Sequence, residues 1–219
     1  MWKTMAAASL ALACLALPAH GQTPERTVSG TTVTSTHDPT LRIDLPASAR
    51  YVGADRWLLL GFDDCEMHLF VDADADKHIQ RLYWVQFEAY IPERPELHHD
   101  YSASRRVTID GLDFYLDTWV QDASQPAEKD SDGDHQRRLL AAKGYTRPAN
   151  GMYVRLVHLP DAQKRKELMV IYGEDLAPTG YTAAQLGEHG EAHGRWTGIE
   201  KGLIERARER VSFRPLSQH

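Results

Sequence analysis

An α+β fold is what this 219-residue chain predicts: a mostly antiparallel sheet of about six strands built from hairpins, flanked by helices, with an amphipathic helix at the C-terminal end. Two patterns carry that expectation. Alternating or wholly apolar stretches of strand length are joined by short polar turns, the signature of hairpins. The chain then ends in a helix with one apolar stripe, which must be covered by another layer.

Leu41-Arg42-Ile43-Asp44-Leu45 alternates and is closed by Pro46, so it reads as the first strand. The first hairpin joins Cys65–Val71 to Ile79–Tyr90 across Asp72-Ala73-Asp74-Ala75-Asp76-Lys77. Its second arm is apolar on both sides, Tyr83, Val85 and Phe87 against Leu82 and Trp84, which predicts a central strand covered on both faces. The second hairpin pairs Val107–Ile109 with Leu112–Val120 around Asp110-Gly111, a dipeptide that tolerates the positive φ of a type I′ turn. The third pairs Tyr153–Leu159 with Glu167–Gly173. A helix is expected over Asp134–Lys143, with Leu139, Leu140 and Ala142 inward and Gly144 at its C-terminal end. Thr197-Gly198-Ile199-Glu200 has the form of a capping box that opens the last helix, whose stripe is Ile199, Leu203, Ala207 and Val211.

Residues 1–21 have the order of a secretory signal: Lys3, an apolar run from Met5 to Leu17, Pro18, and small residues Ala19 and Gly21 before Gln22. The run is shorter than the ~20 residues a membrane-spanning helix needs, so no transmembrane segment is expected in the mature chain. A lipoprotein reading with a lipidated Cys14 would put the cut inside the apolar run, so release into the periplasm or medium is favoured. Residues 22–40, rich in Thr, Ser, Pro and Gly, read as a flexible leader, and 41–219 as one domain. A formal charge of −6, with no cluster of Lys and Arg free of acids, argues against nucleic acid as a partner. Cys65 is the one cysteine after the signal, so no internal disulfide is expected.

Tyr83-Trp84-Val85-Gln86-Phe87-Glu88-Ala89-Tyr90-Ile91-Pro92 resembles a stretch of an uncharacterised family of exported bacterial proteins. The element order and Val211-Ser212-Phe213 after the last helix resemble PsbP-like domains. The first resemblance brings no activity with it, the second implies an accessory or binding protein, and neither transfers a functional residue.

No complete catalytic motif occurs: no Gly-x-Ser-x-Gly elbow, phosphate loop or zinc-protease His-Glu-x-x-His is present. A ligand site is expected where polar and aromatic residues crowd the first hairpin, at His68, Trp84, Gln86 and Glu88. The alternative is a divalent metal held by His98, His99, His189 and His193. His189 and His193 would lie one turn apart if helical, but Gly187, Gly190 and Gly194 favour a loop there. Should Glu88 and His99 converge, they would form an acid–base pair or an oxygen–nitrogen metal site. The alternating Asp72, Asp74, Asp76 and Asp130, Asp132, Asp134 both lack the Gly and Glu of an EF-hand loop and read as a turn and a helix lead-in. The reading is thus a periplasmic or secreted, non-catalytic accessory or ligand-binding domain, with an unknown small ligand or envelope protein as partner. A metal-binding protein or metal-assisted hydrolase is the alternative.

Overall fold

The structure, a computed structural model, describes residues 23–216. In chain order its strands are β1 (Thr27–Ser29), β2 (Thr32–Thr36), β3 (Thr40–Asp44), β4 (Arg50–Leu59), β5 (Asp63–Ala73), β6 (Ile79–Tyr90), β7 (Arg105–Ile109) and β8 (Leu112–Asp122). Helix α1 (Asp132–Ala142) precedes β9 (Asn150–His158) and β10 (Lys166–Asp175). Helices α2 (Ala183–Leu186) and α3 (Trp196–Arg210) then lead to β11 (Ser212–Pro215). The expected α+β class holds, but the strands form two antiparallel sheets. Seven strands run in the order β4-β5-β6-β10-β9-β8-β7, and four in the order β1-β2-β3-β11.

All three expected hairpins are present, as β5–β6, β7–β8 and β9–β10. At the tightest, Asp110 and Gly111 take φ of 51° and 82°, the positive values that a two-residue primed turn requires. Each face of the large sheet carries its own core. Phe70, Tyr83, Val85, Phe87, Leu168 and Val170 meet Val33, Ile43 and Phe213 of the small sheet together with Leu203 and Ala207 of α3. On the opposite face Met67, Leu69, Leu82, Trp84 and Met169 pack with Trp57 and with Leu140 of α1. Strands β5, β6 and β10 are therefore covered twice, which explains why their sequences are apolar on both sides.

Three expectations are corrected and one unassigned segment is filled. The stretch expected as a flexible leader forms β1 and β2 from residue 27 onward, with Val33 and Ser35 fully buried. Its threonines are β-branched, which suits a pleated strand even where polarity hides the pattern. The segment Arg50–Leu59, unassigned from sequence, is the edge strand β4. In α1, Ala142 is exposed, and Gln136 shares the buried side with Leu140. The last helix begins at Trp196 without a side-chain cap, because Glu200 is engaged by Arg105 and Thr118 of the large sheet. A capping box does occur, at Thr182 and Gln185 of α2. The signal-like residues 1–21 lie outside the described residues.

Glu66 on β5 ties the two sheets together. It is 1% exposed and accepts the backbone N–H groups of Glu25 and Arg26, both at 2.8 Å, just before β1. The Arg26 guanidinium donates to it at 3.2 Å, and His68 Nε2 lies 2.8 Å away. Burial alone would raise the carboxyl, but the His68 bond and the two backbone donors outweigh it and hold Glu66 at about 2. His68 is completed by the Tyr51 hydroxyl at 3.3 Å, so it serves a structural network. Glu66→Ala leaves Arg26 and His68 buried without a carboxylate, and the free energy of unfolding in urea should fall by about 3 kcal/mol. An unchanged urea midpoint would remove Glu66 as the tie between the sheets.

Candidate metal centre

One row of residues across three strands collects acids under the α1 layer. Cys65 on β5 pairs with Glu88 on β6, and Glu88 pairs in turn with Glu167 on β10. Directly paired residues point to the same face, so the three side chains stand side by side. Asp63, two residues before Cys65, shares that face. Helix α1 brings Asp132 to it at its first turn, where Ser131 caps the helix by accepting from Asp134 N.

His99 arrives from the loop after β6, and that loop is held from below by one residue. The Arg165 guanidinium donates to the carbonyls of Tyr90, Ile91, Arg94 and Leu97, at 2.7–3.2 Å. The His99 backbone N–H donates to Lys164 O at 2.8 Å, and its ring stacks on Tyr90 with centroids 4.4 Å apart. The imidazole is thereby fixed before any ligand is considered.

Ligand-capable atoms of Glu88, His99 and Glu167 all lie within 4.8 Å of one another, and those of Asp63, Cys65 and Glu88 do the same. Glu88 belongs to both groups. Glu167 is 1%, Asp63 4% and His99 7% exposed. The Tyr101 hydroxyl donates to Glu167 Oε2 at 2.7 Å, and His99 Nδ1 stands 3.1 Å from the same oxygen. Trp84 Nε1 donates to Gln86 Oε1 at 2.7 Å, and Gln86 Nε2 donates to Glu88 Oε1. Asp63 Oδ1, Asp132 Oδ1 and His99 Nε2 have no hydrogen-bond partner among the described residues.

Electrostatics follow from that crowding. Burial and then the Asp132 charge push Asp63 up to about 6. Burial raises Glu167 to about 7 against the Tyr101 hydrogen bond, which lowers it. Burial and the Glu167 charge lift Glu88 well above the carboxylate range, and burial lifts Asp132. Burial depresses His99 to about 4, so at neutral pH it is an uncharged imidazole with a lone pair to give. Burial, then the neighbouring carboxylates, keep Cys65 a protonated thiol. Such a set of like charges is stable in one of two ways: it shares protons, or a cation takes their place.

Of the expected residues, Glu88 and His99 converge, and Trp84 and Gln86 stand on the same face, linked to Glu88. His68 does not join them, because the register pairs it with Val85 and so places it on the opposite face from Gln86, which pairs with Met67. His98 is exposed, while the adjacent His99 is buried. His189 and His193 are exposed in the connection between α2 and α3, which packs through Leu186 and Leu203 on the other core. The two histidine pairs therefore do not form one site. Sequence reasoning missed Asp63, Glu167, Asp132 and Tyr101. The available signal was an acid flanking a run of buried apolar residues, as in Glu167 before Leu168-Met169-Val170-Ile171.

Fold and site together define a two-sheet α+β protein with a buried centre of carboxylates and one imidazole. Comparison with protein-family models, with curated proteins and with solved structures finds no match to this chain.

The raised acids give the metal-free protein a definite pH response. Their folded-state values exceed the unfolded ones, so the stability they contribute is complete below the ordinary carboxylate range and is lost as pH rises through about 6 to 7. His99 acts oppositely, losing stability as pH falls from its ordinary value of 6.5 towards 4, and so offsets one acid below pH 6.5. The melting temperature of metal-stripped protein should therefore fall by about 2–4 °C between pH 6.5 and 8, chiefly through Glu167, at ~2–4 °C per kcal/mol for a chain of this size. A melting temperature that rises over this interval would contradict the buried, protonated cluster.

Proposed function

We propose that this protein binds one divalent transition cation, of the Mn²⁺, Fe²⁺ or Zn²⁺ kind, through Glu88, Glu167, Asp63 and His99. The single observation that carries the reading is the convergence of Glu88, His99 and Glu167 within 4.8 Å in a region where the adjoining Asp63 is 4% exposed and leaves Oδ1 unpartnered. Carboxylate oxygens with one neutral imidazole suit these borderline cations better than a soft one such as Cu(I). Tyr101 and Gln86 supply the outer hydrogen bonds that orient Glu167 and Glu88. Donors buried this far offer no face for a docking substrate, so the reading is binding and retention, not metal-assisted hydrolysis. The signal-like order of residues 1–21 supports a periplasmic or secreted setting for this binding.

The full chain, stripped with chelator and titrated with Mn²⁺ and with Zn²⁺ in a calorimeter, should bind one equivalent of at least one of them at neutral pH. Glu88→Gln and Glu167→Gln should each weaken that binding at least tenfold while folding normally, since each removes a charge the fold must otherwise bury. His98→Ala and His189→Ala should leave it unchanged. Absence of saturable heat with both metals, or unaltered affinity in both Gln variants, would overturn the proposal.

A further inference from the structure

Beyond the acid row, the same face of the large sheet changes character. Leu82, Trp84, Ile171, Tyr153 and Trp119 follow on adjacent strands, and α1 with the loop before it stands over them. Between sheet and helix lies a cavity of about 240 Å³. Its aromatic wall is laid flat: Trp119 and Tyr153 stack at 18° with centroids 5.3 Å apart. Gly173 makes room for that arrangement, since a Cβ there would stand 2.6 Å from the Tyr153 ring.

Two guanidiniums line this cavity, Arg137 from α1 and Arg147 from the connection to β9. Neither forms an ion pair with a carboxylate among the described residues, although Arg138 beside Arg137 in α1 and Arg155 two residues after Tyr153 both do. Arg147 spends one donor on Ala123 O at 3.1 Å. Burial and then the neighbouring Arg137 charge lower its hold on its proton, the response of a cation facing another cation without an anion between them. Gln121 and Gln136 add neutral hydrogen-bonding groups.

We propose that this cleft is a binding site for a small aromatic carboxylate, its ring against Trp84, Trp119 and Tyr153 and its carboxylate between Arg137 and Arg147. The volume lies just under the ~300–1,000 Å³ of pockets for drug-sized ligands, which suits a single or fused ring bearing one acidic group. Guanidinium pairs recognise carboxylates through paired N–H donors, and an aromatic floor adds stacking that a simple anion cannot use. The acid row needs a cation and the cleft an anion, so the two sites take different ligands and can be tested separately. Trp84 belongs to both neighbourhoods, donating to Gln86 on one side and lining the cleft on the other.

The test is calorimetric and fluorimetric titration of the full chain with indole-3-acetate and benzoate, using indole, benzyl alcohol and inorganic phosphate as controls. Saturable binding of at least one carboxylate, quenching tryptophan emission, is expected, with at least tenfold weaker binding of the neutral analogues and of phosphate. Arg147→Gln and Arg137→Gln should each cost tenfold or more in affinity, and Arg137→Lys, which keeps the charge, should lose less. Circular dichroism keeps folding separate from binding, and Glu167→Gln should leave this affinity unchanged. Neutral analogues binding as tightly as the acids, folded Arg→Gln variants binding like the parent, or no saturable signal from either acid would each overturn the proposal.

Discussion

The register between β5, β6 and β10 is the constraint on which the structure turns. It sets Cys65, Glu88 and Glu167 in one row on a covered face, and a slip by a single residue would exchange the two faces of a strand. Such a slip would bury Phe87 where Glu88 stands and bring Glu88 into the core beneath the small sheet. The apolar rows that fix the register, Leu69, Trp84 and Ile171 on one side and Phe70, Tyr83 and Tyr172 on the other, thus also fix the acids where they repel one another. Packing forces a concentration of charge that the acids would not adopt by themselves.

That face of the sheet is polarised along its length. Carboxylates and a neutral imidazole crowd one end, and two guanidiniums with no carboxylate partner among the described residues stand above stacked aromatics at the other. Helix α1 roofs both: its first turn contributes Asp132 to the acids, and Gln136 and Arg137 reach the aromatic end. The opposite face is different in kind. There Glu66, His68 and Arg26 satisfy one another and hold the small sheet in place, so polarity on that side serves cohesion.

What was legible in the sequence was whatever short-range pattern encodes. Asp110-Gly111 announced its turn, the double-sided apolar run announced a central β6, and the Leu203–Ala207 stripe announced α3. Residues 27–36 were illegible because threonine and serine dominate strands whose inward positions are few. The capping box expected at Thr197 and Glu200 does not form, because Glu200 has tertiary partners in Arg105 and Thr118. At the candidate site, the alternation within β5 correctly separated Glu66 and His68 from Met67. The cross-strand register that pairs Met67 with Gln86, and so divides His68 from Gln86, is a long-range property without a local signal. Glu88 and His99 were visible as possible partners because they flank one loop. Glu167 was not, because its hairpin joins β6 only through pairing between segments far apart in the chain.

If the buried acid row is a cation site, anomalous diffraction from crystals of the full chain grown with Mn²⁺ or Zn²⁺ should show a peak within bonding distance of Glu88, Glu167 and His99. A well-ordered structure from such crystals with Glu88 and Glu167 bonded only to each other or to Tyr101, and the metal elsewhere, would contradict it.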